Sequence, residues 1–474
     1  MLRSTRRVAL LTLALINVFT LAAGVVLVRM LPIRLDMLKP VQVASRADVQ
    51  AQPVLSNAAG GTVPTSSGLD GTLGSVLSSA VLGSGVSAVV TDQSGQVLWS
   101  RDPHQLGAPA STEKVATAVA ALDVLGPSAH FTTKVVSGPG SSIVLVGGGD
   151  PTLAAGAPPL SDYPQPATLQ ALAAKTAQAL KAVHRRQVTL TYDASLYTGP
   201  GLAPGWPDTY VTIGDVTSIT ALEVDQGRLT TSGAPEDADD PTNYRPRASD
   251  PAADAAQSFA SFLAADGITV SGTPSTGPAP AHVGPLAAVS SPSLSAIVEQ
   301  MLLESNNVIA ENLARQVAIA TGHPASFAGA AAAETQVLSR LGVSSGIQLV
   351  DGSGLSPEDK IAPAALAQLL TMAASAQHPA LRAAITGLPV AGFAGTLSSG
   401  QSVFGGIGGA ARGVVRAKTG NLSTVAALAG LVYDRDGRVL VFSIDADQVP
   451  AADLQQAADT LNQAAATLAA CGCR

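Results

Sequence analysis

Apolar positions follow three rhythms along this chain. From Val8 to Val28 they dominate a stretch with no charged residue. Twenty-one residues at about 1.5 Å each span roughly 30 Å, the thickness of a bilayer core. Arg3, Arg6 and Arg7 precede the run, so an uncleaved single-pass anchor with a cytoplasmic amino end is expected. The second rhythm is short and β-rich. Val86–Thr91 and Val97–Ser100 flank the turn Asp92–Gln96, and Ile143–Val146 and Val188–Tyr192 read as further strands. Near the end, Val414–Gly420, Val425–Tyr433 and Arg438–Ile444 predict three more, the last two joined by a hairpin turn at Asp434–Gly437. The third rhythm is helical. It covers the residues after Ser111, Leu169–Val183, Phe259–Ala265, Leu294–Leu303, Val308–Thr321 and Ala451–Ala469. Strands at both ends of the body with helices between predict an α/β (α+β) fold, an antiparallel sheet with helices on both faces.

Composition divides the chain further. Residues 35–75 are rich in small and polar residues with little periodicity, which predicts a flexible linker between the anchor (1–34) and a body starting at 76. The stretch Ala234–Asp254 is polar and rich in Asp and Pro, and reads as a loop. The glycine-rich run Gly405–Gly413 reads as a loop or a flap. A net charge of −7 argues against a nucleic-acid partner. Two cysteines, Cys471 and Cys473, give no disulfide framework and no zinc spacing, and six scattered histidines form no metal motif. Neither a metal nor a cofactor is expected. Gly147–Gly148–Gly149 lacks the Lys-Ser/Thr of a phosphate loop and predicts a tight turn.

The candidate chemistry lies in three separated segments. Ser111-Thr112-Glu113-Lys114 opens a helical stretch. Residues three apart share a helix face, so the Ser111 hydroxyl and the Lys114 amine are expected side by side. Serine needs an adjacent base to act as a nucleophile, and a desolvated lysine can lose its proton near neutral pH. Ser305-Asn306-Asn307 sits at a helix–helix junction, where the bland alternative is an N-cap. Lys418-Thr419-Gly420 ends a strand. Ser-x-x-Lys, Ser-x-Asn and Lys-Thr-Gly in this order form the signature of penicillin-binding proteins and serine β-lactamases.

The chain resembles the D-alanyl-D-alanine carboxypeptidase/endopeptidase family of low-molecular-weight, class C penicillin-binding proteins (peptidase family S13). Besides the triple, the likeness rests on Gly147–Leu153, Pro204-Gly205-Trp206, Ala310-Glu311-Asn312-Leu313, Asp351–Ser356 and Ala394–Leu397. It implies a β-lactamase/transpeptidase-like domain split by an insertion, here 76–154 and 286–474 around a smaller lobe at 155–285. It implies a serine-type carboxypeptidase that trims peptidoglycan stem peptides outside the cell membrane and is acylated by β-lactams. Ser111, Lys114 and Ser305 would be catalytic, and Asn307, Lys418, Thr419, Gly420 and Asn421 would bind substrate. By the same likeness, Lys418 would supply the charge that keeps Lys114 neutral. Asn421 departs from the hydroxyl residue that usually follows Lys-Thr-Gly. A serine β-lactamase and a catalytically weak cell-wall scaffold are the competing readings.

Overall fold

A computed structural model describes residues 57, 61–159, 163–230, 245–398 and 411–474. The expected anchor at 1–34 lies outside the described residues, as do most of the expected linker, residues 234–244 of the expected loop and residues 405–410 of the glycine-rich run. Among the described residues no helix is long and apolar enough to cross a membrane.

The principal sheet has five antiparallel strands in the order Val415–Leu422, Val425–Tyr433, Val439–Ala446, Val86–Asp92, Val97–Arg101. The first strand of the body therefore pairs with the last, Val89 opposite Ser443. Every residue of Val439–Ala446 is buried. Val439 and Val441 face one core, with the helix Lys114–Leu125, while Leu440, Phe442 and Ile444 face the other, with the final helix Leu454–Ala470. Period-two alternation in a strand covered on both sides produces this split. The Lys418 strand does not turn at Gly420 as expected. It continues to Leu422, and Lys418 pairs with Ala429 well inside the ladder.

The helix Lys114–Leu125 is composed largely of Ala and Val, and its first nine residues are buried. Small side chains let Asn307–Thr321 and Phe327–Arg340 pack closely against it. It is thus held by apolar contact on several sides, and its first turn is fixed.

A second sheet differs from the expected arrangement. Its path is Thr269–Val270, Gln187–Asp193, Ser142–Val146, Thr132–Ser137, Pro285–Ser290. The pairing is mixed, with Ser142–Val146 parallel to Gln187–Asp193 and antiparallel to Thr132–Ser137. The helices Leu169–Ala182 and Pro251–Ala265 cover it. This sheet begins before residue 155, because Thr132–Ser137 and Ser142–Val146 find their hydrogen-bond partners in it. The helix at Pro251 begins inside the stretch expected to be loop. Asp250 caps it by accepting from Ala253 N, and Pro251 stands at the first turn.

Residues 66–75, expected to be linker, instead belong to the helix Ser66–Val76. Leu69, Leu73 and Leu77 recur every four residues and bury completely or nearly so in the core shared with the final helix. Thr65 caps this helix, and its N–H donates to the Cys473 carbonyl at 2.7 Å. Cys471 and Cys473 form a disulfide with each other. Leu73→Ala is expected to cost about 3 kcal/mol of stability, measured by denaturant unfolding of the whole chain. A loss under about 0.5 kcal/mol, the scale of a surface change, would return this segment to the linker.

Candidate active site

Ser111 stands on a single 3-10 turn, Ala110–Glu113, that leads into the buried helix. The turn is held by its own bonds and by two glycines. Thr112 Oγ1 donates to the Pro109 carbonyl at 2.7 Å. Ala110 has a positive φ of 46°, a conformation that costs a non-glycine residue energy unless neighbours enforce it. Gly420 lies so close that a Cβ there would fall 2.7 Å from the Pro109 carbonyl and 3.2 Å from Ser111 N. A Cβ on Gly354, whose φ is +78°, would fall 1.9 Å from the Ala110 carbonyl. The Lys-Thr-Gly strand and the Asp351–Ser356 loop thus both press against the serine turn.

Lys114 is completely buried. Its Nζ lies 2.9 Å from Ser111 Oγ, 2.6 Å from Asn307 Oδ1 and 2.6 Å from the Ser353 carbonyl. Asn307 opens the helix Asn307–Thr321, and its Nδ2 donates to the Asp215 carbonyl at 2.9 Å. Asn306 is the N-cap, accepting from Ile309 N at 3.1 Å, so the bland reading holds for this one residue of the segment. Ser305 adopts a positive φ of 55° between the two helices. Its Oγ accepts from Lys418 Nζ at 2.8 Å. Lys418 is also fully buried and donates to the Thr419 carbonyl at 2.9 Å. Thr419 Oγ1 bonds Thr396 Oγ1 at 2.8 Å. Ser111, Ser305, Asn307, Thr419 and Asn421 line a common cleft of about 320 Å³, with Tyr210 and Asp215 on its wall. The three remote segments therefore meet, with Lys114 and Gly420 directly behind the cleft. A larger cavity of about 830 Å³ lies against Phe327–Arg340 and contains none of the motif residues.

Burial pulls the Lys114 amine down from its ordinary value to about 8, against the opposing pull of Asp351, Glu311 and Glu113. Loss of solvation, rather than the Lys418 charge expected from the sequence, is the leading cause. A layer of buried acids stands behind the amine. Burial raises Glu311 to about 8 and Asp359 to about 9, and it pushes Glu113 and Glu334 well above the carboxylate range. Glu113 and Glu311 therefore tend to be neutral at physiological pH and oppose the lowering of the amine less than full carboxylates would. Glu113, Asp351 and Asp359 bring oxygens within 4.8 Å of one another, a spacing a cation could use. Both Asp351 oxygens are already taken by N–H donors, however. In the cleft, Asp215 is raised by partial burial and lowered in part by Arg247.

Sequence reasoning did not give Ser353, Asp351 or Glu311 a role. The available signal was an acid ahead of two glycines in Asp351-Gly352-Ser353-Gly354, a pattern that favours a side-chain-capped loop.

With the geometry in place, comparison with known proteins places the chain. The family model described as the D-Ala-D-Ala carboxypeptidase 3 (S13) family matches residues 69–246 and 228–468. A carboxypeptidase of Mycobacterium tuberculosis is 37% identical over 399 residues, covering 82% of this chain and 81% of that protein. Carboxypeptidase DacB of Mycolicibacterium smegmatis is 37% identical over 418 residues, covering 86% and 85%. The crystal structure of penicillin-binding protein 4 from Haemophilus influenzae aligns with a TM-score of 0.66 at 22% identity, covering 83% of this chain and 98% of that one, a likeness of fold.

Gly354→Ala is expected to destabilise the protein by roughly 2 kcal/mol or more, from the positive φ and the clash with Ala110 together. Thermal unfolding checks this, and an unchanged melting temperature would show that the loop does not press on the serine turn.

Proposed function

Because the chain belongs to the S13 D-Ala-D-Ala carboxypeptidase family, we propose that Ser111 is the nucleophile of its serine carboxypeptidase reaction on peptidoglycan stem peptides. The observation that carries this assignment is the contact of Ser111 Oγ with a buried amine lowered to about 8. Ser111 Oγ attacks the carbonyl between the two terminal D-alanines, and its proton passes to neutral Lys114. The backbone N–H groups of Ser111 and Asn421 receive the developing oxyanion, a donor of this kind being worth about 3 kcal/mol. Ser305, bonded to Lys418, relays a proton to the departing D-alanine amine. Lys418 and Thr419 hold the terminal carboxylate, and Asn307 holds a substrate amide as well as Lys114. Water then cleaves the acyl-enzyme and restores the Ser111 hydroxyl. A β-lactam acylates the same oxygen and leaves slowly.

We also propose that the Arg3, Arg6 and Arg7 leader and the apolar run after it tether this body to the outer face of the cell membrane. Release by carbonate or high salt, rather than by detergent alone, would contradict the tether.

Ser111→Ala should abolish covalent labelling by a fluorescent penicillin with the melting profile kept, and Lys114→Ala should slow labelling by about 10²–10⁴-fold. Labelling that survives Ser111→Ala would move the nucleophile elsewhere. Because the neutral amine is the active form, acylation should rise with pH, with its half-maximum near the Lys114 value of about 8. Stopped-flow acylation between pH 6 and 10 measures this, and a rate flat across that window would contradict a titrating lysine base.

A further inference from the structure

The three neighbours of the Lys114 amine are not equivalent. Two of them, Asn307 Oδ1 and the Ser353 carbonyl, are oxygens with no proton to give. The third, Ser111 Oγ, both donates and accepts. A neutral amine has two N–H bonds and one free pair. When both N–H bonds go to the two carbonyls, the free pair is left facing Ser111. The Ser353 carbonyl thus decides which way the base points.

What holds that carbonyl is a single carboxylate. Asp351 is almost fully buried, and its side-chain contacts are all acceptances. Its backbone N–H donates to Asp359 Oδ1 at 3.3 Å, and the acceptances are those of its carboxylate: Oδ1 takes Ser353 N at 2.9 Å, Gly354 N at 2.8 Å and Ser353 Oγ at 3.4 Å. Oδ2 takes Ser356 N at 2.8 Å and Trp206 Nε1 at 2.7 Å. The peptide groups on both sides of Ser353 are therefore tied, and Glu311 accepts from Gly352 N at 3.1 Å just before them. Trp206 comes from the segment Pro204-Gly205-Trp206 and packs edge-on against Phe327, with ring centroids 5.2 Å apart.

We infer that Asp351 is a positioning residue of the reaction: by gathering the N–H groups of Ser353, Gly354, Ser356 and Trp206 it aims the Ser353 carbonyl at Lys114 and so turns the base toward Ser111. This inference rests on the assignment of Lys114 as base. Asp351 also acts through space. The acids facing the amine are Glu113 on its own element, Glu311 on the helix Asn307–Thr321 and Asp351 on the loop, and negative charge on any of them raises its proton affinity. Glu334, Asp359 and Arg315 stand behind these acids, while Lys418 reaches the same cleft through Ser305.

The test is the second-order rate of acylation by a fluorescent penicillin from pH 6 to 10, normalised to the acylatable fraction, in the whole chain. Asp351→Asn keeps the size of the side chain but sets an NH₂ against two N–H donors. It should lower the plateau rate by about 30- to 100-fold, the cost of a base misplaced by about an ångström. It should also move the rising limb to lower pH by roughly one unit, since a neighbouring negative charge is lost. Asp434→Asn removes a buried acid of the hairpin turn Asp434–Gly437, which accepts from Arg438 N and is absent from the groups acting on Lys114. It should stay within about threefold of wild type with its limb unmoved. A wild-type rate and limb in Asp351→Asn would overturn the inference, as would the same changes in Asp434→Asn. If Asp351→Asn does not fold, Trp206→Phe removes one donor and keeps a ring against Phe327. A three- to tenfold slower rate would then support the inference, and an unchanged rate would overturn it. Wild-type protein that is never acylated would instead sink the assignment of Ser111, which separates the two failures.

Discussion

The structure depends on the burial of one amine. Lysine prefers water by a wide margin, and placing Lys114 at zero exposure is tolerable only because three oxygens surround it and because the proton can leave. The fold supplies both conditions. The oxygens come from the serine turn, from the helix starting at Asn307 and from the Asp351–Ser356 loop. The loss of the proton is favoured by burial, which strips the charge of its solvation.

The same interaction explains why segments so far apart in sequence must meet. Asn307 is fixed by its contact with the Asp215 carbonyl and by the Asn306 cap one residue earlier. The Lys-Thr-Gly strand approaches the serine turn closely enough to require Gly420, and it brings Lys418 to Ser305. The buried acids form the far wall. Were they all ionised they would hold the proton on Lys114, so their own desolvation is part of the same electrostatic balance. A mostly neutral acid layer opposes the loss of that proton less than a charged one would.

Much of this was legible in the sequence where one physical rule governs a local pattern. Spacing of three on a helical turn brought Ser111 and Lys114 together, and apolar runs on either side of a hairpin turn marked the strands Val425–Tyr433 and Val439–Ala446, the second to within two residues at its end. The helix Leu294–Leu303 was bounded correctly by its apolar run. Legibility failed where tertiary contact overrides composition. The Ser66–Val76 helix is poor in long side chains, and only three leucines at helical spacing show that it docks. The second sheet recruits Thr132–Ser137 and Ser142–Val146 by hydrogen bonds to strands far along the chain, which no local signal announces. The Ser353 carbonyl was invisible because a backbone atom carries no residue identity. Nothing in the sequence marks Glu113, Glu311 and Glu334 as buried, and only the packing reveals it.

The ionisation of Lys114 is the most direct measure of this account. Nitrogen-15 NMR of the labelled lysine side chains, with Lys114 assigned by its absence in Lys114→Arg, follows the Nζ proton through a pH titration. The account predicts a midpoint near 8 in the unacylated protein. An amine that stays protonated up to the ordinary lysine value of about 10.4 would contradict it.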